Sequence, residues 1–247
     1  MMQVDYEIRR PDNVQNLVIQ EEFFYVKQNG QERKVRLHDY PELYGTPHLY
    51  ETLYGELEEK SHIVLPSLLQ GQVTQCGEKM EDLTLLEIGA GSGAMGNVLS
   101  QLGVSSVVGI DIVPEAAIAA EREYPGVYEN YHIEDLANLQ ETTRQALLEK
   151  RFTCILCGTA LGFNHITAPV WGAAFNMLEP NSWVAFNVQQ QRWESQGEDA
   201  FATYHPWVQD ESIFKITQVH KYQHRFYLDG RPLYYYAVLG RKMGNIS

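Results

Sequence analysis

The sequence predicts an α/β protein in which a mostly parallel β-sheet follows a β-hairpin with helices and ends in an antiparallel hairpin. Two observations favour this fold class. Between residues 83 and 188, short apolar runs alternate with amphipathic runs of helical period. This alternation is typical of parallel strands joined by crossover helices. Residues 213–227 and 232–240 are rich in β-formers and flank Leu228-Asp229-Gly230-Arg231, so they predict a hairpin that adds one antiparallel strand.

The first hairpin is predicted from residues 21–38, where apolar and polar side chains alternate around Asn29-Gly30. Asn-Gly is a strong signal for a two-residue hairpin turn, because both residues tolerate positive φ angles. The strands are expected at residues 23–27 and 34–38. Residues 1–20 are polar and are expected to be partly loose.

A helical period begins at Tyr40 and continues to Leu69, with leucines at positions 49, 53 and 57. This segment is expected either to line a lid over a ligand or to dock on the core with its tyrosines, which are Tyr40, Tyr44, Tyr50 and Tyr54. We therefore divide the chain into a cover, residues 1–79, and a core domain, residues 80–247.

The core domain is predicted as alternating strands and helices. We expect strands at residues 83–88, 106–110, 127–133, 152–158 and 182–188, and helices at residues 94–102, 114–122, 138–149 and 167–178.

The first core strand leads into a glycine-rich turn that predicts a ligand site. Glu87 stands inside the strand, and glycines follow at positions 89, 91 and 93. Glycine allows positive φ angles and lets the backbone approach a ligand closely. The next strand ends on Asp111, whose carboxylate can accept hydrogen bonds from both hydroxyls of a ribose. Because parallel strands end at one sheet edge, the turn and Asp111 predict a site for a nucleoside-containing cofactor.

Two cofactor classes fit this pattern. Gly91 to Gly96 matches G-x-G-x-x-G, so an NAD-dependent oxidoreductase is one hypothesis. Glu87 to Gly93 reads Glu-x-Gly-x-Gly-x-Gly and, with Gly109-Ile110-Asp111, resembles the first motif and second-strand acid of class I S-adenosylmethionine (SAM) dependent methyltransferases. Members of that family have a Rossmann-like seven-stranded, mostly parallel sheet that ends in an antiparallel C-terminal hairpin strand, whereas dinucleotide domains continue with parallel strands. The resemblance extends over about residues 80–240.

The resemblance implies SAM as the cofactor and S-adenosylhomocysteine (SAH) as the product. It places the methionine and ribose portion of SAM on the turn, above Glu87. The turn residues in this role are Gly89, Ala90, Gly91 and Gly93.

The resemblance also assigns the adenosine end. Asp111 would accept from the ribose hydroxyls, and Ile112 would pack on the adenine. Asp135 would accept a hydrogen bond from the exocyclic amine of adenine. The alternative is that Asp135 and its neighbour Glu134 stabilise a helix N-terminus. The Leu136 backbone would contact the edge of the adenine ring. The strand that ends at Cys157 would place a carbonyl against the SAM amino group.

The acceptor side is less defined, because in-line displacement from a sulfonium needs alignment more than acid–base groups. Asn164 and His165 are the candidate catalytic residues, and a capping role before the next helix is the alternative. His205 and His224 are further candidate bases. An aromatic wall for the acceptor, or additional core packing, is expected from Trp193, Tyr204 and Trp207.

The charge and hydropathy of the chain limit the partners that are expected. A formal net charge of -13 disfavours nucleic acid, so a small-molecule acceptor is expected. There is no apolar run long enough to span a membrane, and we expect a cytoplasmic monomer or homodimer. Cys154 and Cys157 should point to opposite faces of one strand, so no metal site is expected. A methyltransferase-like partner subunit without turnover remains a further alternative.

Overall fold

Two β-sheets organise the chain in a computed structural model that describes residues 5–15, 17–161, 166–195 and 205–246. The first is a three-stranded antiparallel sheet near the N-terminus. The second is a seven-stranded mixed sheet. No helix in the described ranges is long and apolar enough to cross a membrane.

The N-terminal sheet confirms the first predicted hairpin and adds a strand to it. Strands β2 (Phe23–Gln28) and β3 (Gln31–Arg36) join at Asn29 and Gly30, whose φ angles are 53° and 78°. The expectation that the first residues are loose was wrong for Tyr6–Arg9, which forms strand β1 and pairs antiparallel with β2. Strand β2 provides the backbone hydrogen-bond partners of β1, and the polar sequence of β1 does not by itself indicate this pairing.

The predicted helical segment is divided into three helices, α1 (Tyr40–Gly45), α2 (Leu49–Gly55) and α3 (Ser61–Gln75). Two residues with left-handed backbone angles lie between them, His48 with φ 56° and Glu58 with φ 55°. Helices α1 and α2 bury their leucines against β2 and β3, whereas α3 packs in the same apolar cluster as the large sheet. The predicted boundary at residue 79 stays a prediction.

The large sheet confirms the predicted fold class. Its strand order is β6-β5-β4-β7-β8-β10-β9. Strand β10 runs antiparallel to both β8 and β9, while the pairs among β6, β5, β4, β7 and β8 are parallel. The strands are β4 (Thr84–Ile88), β5 (Ser106–Asp111), β6 (Asn130–Ile133), β7 (Cys154–Cys157), β8 (Trp183–Gln189), β9 (Phe214–Phe226) and β10 (Pro232–Lys242).

Helices cover both faces of this sheet. The four predicted crossover helices are present, and two short helices that were not predicted follow β8. The helices are α4 (Ala94–Gln101), α5 (Pro114–Glu123), α6 (Glu141–Glu149), α7 (Ala168–Asn176), α8 (Gln190–Glu194) and α9 (His205–Gln209). Short 3-10 turns occupy Ile19–Glu21 and Met80–Asp82.

The sheet separates two apolar clusters, and the cysteines show this separation. Cys154 lies in one cluster and Cys157 in the other, and both are buried free thiols. The prediction that the two side chains point to opposite faces is therefore confirmed.

A buried ion pair joins the cover to the last hairpin. Glu22, just before β2, accepts a hydrogen bond from Arg225 Nη2 at 2.6 Å and another from the backbone N–H of Leu228 at 2.7 Å. The Glu22 and Arg225 side chains are 1% and 2% exposed. Removing one partner of such a pair leaves the other charge buried without compensation.

We therefore expect Glu22→Ala to lower the free energy of unfolding by about 3 to 5 kcal/mol, measured by urea denaturation. Glu32→Ala is the matched control, because Glu32 pairs with Arg9 on the surface and such pairs contribute about 0 to 1 kcal/mol. Equal effects of the two substitutions would contradict the prediction.

Candidate active site

A cavity of about 550 Å³ lies between the carboxyl edge of the large sheet and the cover. Its floor includes the glycine turn, Asp111 and Gly158. Its roof comes from helices α1 and α2 and includes Tyr40, Tyr44, Tyr50 and Tyr54. The sheet edge where ligands bind in this fold is thus closed over by the N-terminal segment.

The glycine turn requires its glycines. Gly89, Gly91 and Gly93 have φ angles of 65°, 55° and 90°, a region that side-chain-bearing residues rarely adopt. A side chain on Gly91 would come within 2.6 Å of the Tyr44 hydroxyl, so the roof touches the turn at this residue. Gly93 faces Tyr128 instead of the roof.

Asp111 holds the turn in place. One of its carboxylate oxygens accepts from the Gly91 N–H at 3.0 Å, and the other accepts from the Val113 N–H at 2.9 Å. The turn is also tied to β5 because Gly89 and Ala90 both donate to the carbonyl of Ile110. Each carboxylate oxygen can accept a further hydrogen bond. The sequence prediction that the turn and Asp111 converge is therefore confirmed as geometry.

Glu87 supports the turn from below. It is 3% exposed, and burial raises its pKa to about 8, against a smaller lowering effect of the hydrogen bond that Tyr128 donates at 2.9 Å. Tyr131 donates to the Gly91 carbonyl at 2.8 Å. Both tyrosines were missed from the sequence. A signal existed for Tyr128, because its ring fills space left by glycines at positions 93, 96 and 109.

The predicted adenine contacts lie together at one end of the cavity. Ile112, Asp135 and Leu136 all line it. Ile112 is 66% exposed, so its apolar side chain is accessible to a ligand in the cavity. The Asp135 carboxylate already accepts from Ala137 N–H at 2.9 Å and from the Asn138 amide at 2.8 Å. Its adenine contact stays a prediction.

The end of β7 contributes backbone and small residues to the cavity. The Cys157 side chain is buried in the core, where burial raises its pKa, and Gly158 and Thr159 line the cavity in its place. A role for the Cys157 carbonyl stays a prediction. Thr159 has a φ angle of 57°, and its N–H donates to Asn187 Oδ1 at 2.6 Å.

The predicted acceptor residues fall largely outside the described part of the chain. Asn164, His165 and Tyr204 lie there, as does the side chain of His205. Trp193 and Trp207 pack against the core, and Trp193 also lies 5.9 Å from the ring of Tyr236.

The tyrosines of the cover form a continuous aromatic row. Ring centroids are 5.7 Å apart for Tyr40 and Tyr44, 5.2 Å for Tyr44 and Tyr50, and 4.4 Å for Tyr50 and Tyr54. The row therefore docks the helices and lines the cavity. Its role as a lid over a ligand stays a prediction.

A hydrogen-bonded network adjoins this row. Glu59 and His62 line the cavity, and His62 Nδ1 lies 2.6 Å from Glu59 Oε2. His224 Nδ1 lies 3.2 Å from Glu59 Oε1 and 2.7 Å from Ser61 Oγ. Although burial acts to raise it, hydrogen bonds from His224 and His62 lower the pKa of Glu59. The carboxylate is therefore held ionised between two imidazoles.

The network continues to the sheet. Ser61 Oγ lies 2.6 Å from the Tyr222 hydroxyl, which accepts from the Asn187 amide at 2.7 Å. Asn187 in turn binds Thr159, so the network joins α3 to the end of β7. Sequence reasoning considered only His224 among these residues. It is buried, and burial lowers its pKa.

A family model described as a methyltransferase domain matches residues 60–233. The chain belongs to this methyltransferase family. The prediction of a class I SAM-dependent methyltransferase is confirmed, without a subfamily, and the match excludes the oxidoreductase hypothesis. Among proteins with curated descriptions, none matches the sequence.

Solved structures with the same fold are distant in sequence. Magnesium protoporphyrin IX methyltransferase (ChlM) from Synechocystis PCC 6803 with bound SAM is 16% identical, over 74% of this chain and 80% of that chain, with a TM-score of 0.52. The N-methyltransferase NodS from Bradyrhizobium japonicum WM9 in complex with SAH is 14% identical, over 84% and 95% of the two chains, with a TM-score of 0.51. At these identities the likeness shows the fold of the methyltransferase.

We expect Gly91→Ala to weaken SAH binding by roughly tenfold or more in calorimetry, because a side chain there costs about 1 to 2 kcal/mol of backbone strain and meets Tyr44. Gly230→Ala is the matched control, since Gly230 also has a positive φ, 83°, but open space around it. Undiminished binding by Gly91→Ala would refute the contact between turn and roof.

Glu87 gives a pH prediction. Its folded pKa of about 8 exceeds its ordinary value of 4.5, so unfolding releases a proton between these values. The contribution of Glu87 to the free energy of unfolding is present at low pH. It is lost as the pH rises, by up to about 1.4 kcal/mol per pH unit. Urea unfolding from pH 5 to 8 should show a shallower loss in Glu87→Gln than in wild type. Glu81→Gln, at an exposed glutamate, should keep the wild-type slope.

Proposed function

We propose that this methyltransferase transfers the methyl group of SAM to a small molecule held between the glycine turn and the tyrosine row. The observation that carries the proposal is a single cavity whose floor has the predicted cofactor residues and whose roof is aromatic. A concave site with an aromatic roof and several polar side chains suits a small organic ligand.

The residues present fit SAM. The Asp111 carboxylate would hold the ribose, and the exposed side chain of Ile112 would gain an adenine to cover it. Gly89, Ala90 and Gly91 would lie along the ribose and methionine portion of SAM. When bound, SAM supplies a methyl group on a positively charged sulfur, which makes the donor reactive without further activation.

A small acceptor fits better than a nucleic acid. The chain has 19 basic and 32 acidic residues, and a surface of that balance repels phosphates. Besides Asp111, five further acids line the cavity: Glu51, Glu59, Glu87, Glu134 and Asp135. Cytoplasmic location and a monomeric or homodimeric state stay part of this proposal.

His62 is our candidate for the group that removes a proton from the acceptor. The hydrogen bond to Glu59 raises the pKa of His62, against a smaller effect of burial. With Nδ1 donating to Glu59, neutral His62 keeps Nε2 as an acceptor. In addition to His62, the residues Asn164 and His165, predicted from the sequence, remain candidate contacts of the acceptor.

The first experiment is calorimetric titration of the purified protein with SAH, followed by incubation with radiolabelled SAM and fractionated small metabolites. Binding of SAH and label transfer to a small product support the proposal. Binding without transfer to any fraction indicates the non-catalytic partner alternative, and absence of binding overturns the cofactor assignment.

With the acceptor from that screen, His62→Asn should lower kcat by roughly a hundredfold, the usual contribution of a general base, while the Kd for SAH stays unchanged. Wild-type kcat should rise with pH through a pKa above the ordinary histidine value, because only neutral His62 can take the proton. His220→Asn, at an exposed histidine, is the control. An unchanged kcat in His62→Asn would exclude this role.

A further inference from the structure

Glu51 belongs to a small charged cluster at the edge of the cavity. It lies on α2, and its neighbours are His48, just before α2, and Glu123, the last residue of α5. One ligand atom from each of the three lies within 4.8 Å of the others. Of the three, only Glu51 is among the residues that line the cavity.

The other two members already compensate each other. Glu123 Oε1 accepts from Arg122 Nε at 2.7 Å and from the His48 N–H at 2.9 Å. Its second oxygen contacts His48 Nδ1. Arg122 is further fixed because it donates to the Tyr44 carbonyl at 2.9 Å. Glu123 is therefore paired with both Arg122 and His48.

Glu51 is only partly compensated: Ser92, its own backbone N–H and His48 each act to lower its pKa. Its Oε1 atom is buried and has no partner of full hydrogen-bond geometry among the described residues. The Ser92 hydroxyl, on a residue that is 3% exposed, is in the same state. Burial raises the pKa of Glu51, and nearby Ser92 offsets only part of this effect. A buried carboxylate that is only partly compensated is costly, and a cationic ligand would reduce that cost.

The position of Ser92 relates Glu51 to the cofactor. Ser92 directly follows Gly91, whose N–H binds Asp111, the predicted ribose anchor. The carboxylate of Glu51 therefore faces the turn one residue beyond that anchor, where the amino-acid portion of the cofactor is expected. That portion carries an ammonium group.

We propose that Glu51 binds the α-ammonium group of SAM and SAH, with the Ser92 hydroxyl as a second polar contact. This inference rests on the proposed cofactor placement. It makes Glu51 a binding residue contributed by the cover, so the cover would complete the cofactor site. A divalent metal ion is the competing occupant, but two of the three candidate ligands are already paired and Arg122 adds positive charge beside them.

The test compares SAH with an analogue in which hydrogen replaces its amino group, by calorimetry on wild type and Glu51→Gln. We expect wild type to bind SAH at least tenfold more tightly than the deaminated analogue. Glu51→Gln should lose most of that difference and bind the analogue as wild type does. Glu56→Gln, at an exposed glutamate that follows the same helix, should behave as wild type.

Three results would overturn the inference. The first is equal binding of both compounds by wild type. The second is a loss of affinity for both compounds by the same factor in Glu51→Gln. The third is binding of Mg²⁺, Mn²⁺ or Zn²⁺ alone to wild type but not to Glu51→Gln. Equal binding of the two compounds by wild type overturns the inference even if the variant fails to fold. Absence of SAH binding by wild type would instead reject the cofactor placement itself.

Discussion

The hydrogen bond between the Gly91 N–H and the Asp111 carboxylate is the constraint on which the site depends. It joins the turn after β4 to the end of β5, two points that are 20 residues apart in the chain. Positive φ angles at the glycines allow this approach, and Glu87 and Tyr128 support it from the interior. The backbone around the ligand is thus preorganised, so binding need not supply the energy to order it.

The cover acts on the same turn from the opposite side. Tyr44 occupies the space that a side chain on Gly91 would need, and Glu51 approaches Ser92. The turn is therefore held between a tyrosine of the core below and a tyrosine of the cover above. This arrangement explains why the cover is rich in tyrosine: each ring supplies a large rigid surface with one polar atom at its edge.

Local patterns in the sequence predicted the core strands, the turn and Asp111, because strand alternation, glycine spacing and a strand-terminal acid are all short-range signals. Strand β1 was not predicted, since its pairing depends on β2 and not on its own composition. The His62–Glu59 pair was also missed. The second imidazole that contacts Glu59 belongs to His224, which is distant in sequence and reaches Glu59 only in the folded chain. The break of the helical segment at His48 depends on a residue with left-handed backbone angles, which a helical period of apolar residues does not predict.

The buried pair of Glu22 and Arg225 connects positions 203 residues apart. During synthesis on a ribosome, Glu22 is therefore made 203 residues before its charged partner. The tyrosine row lies on the same cover, so it would reach its final position only after the hairpin of β9 and β10 has formed. Contacts of such long sequence separation form slowly, so the nascent enzyme would acquire its complete cofactor pocket only in the final stage of folding.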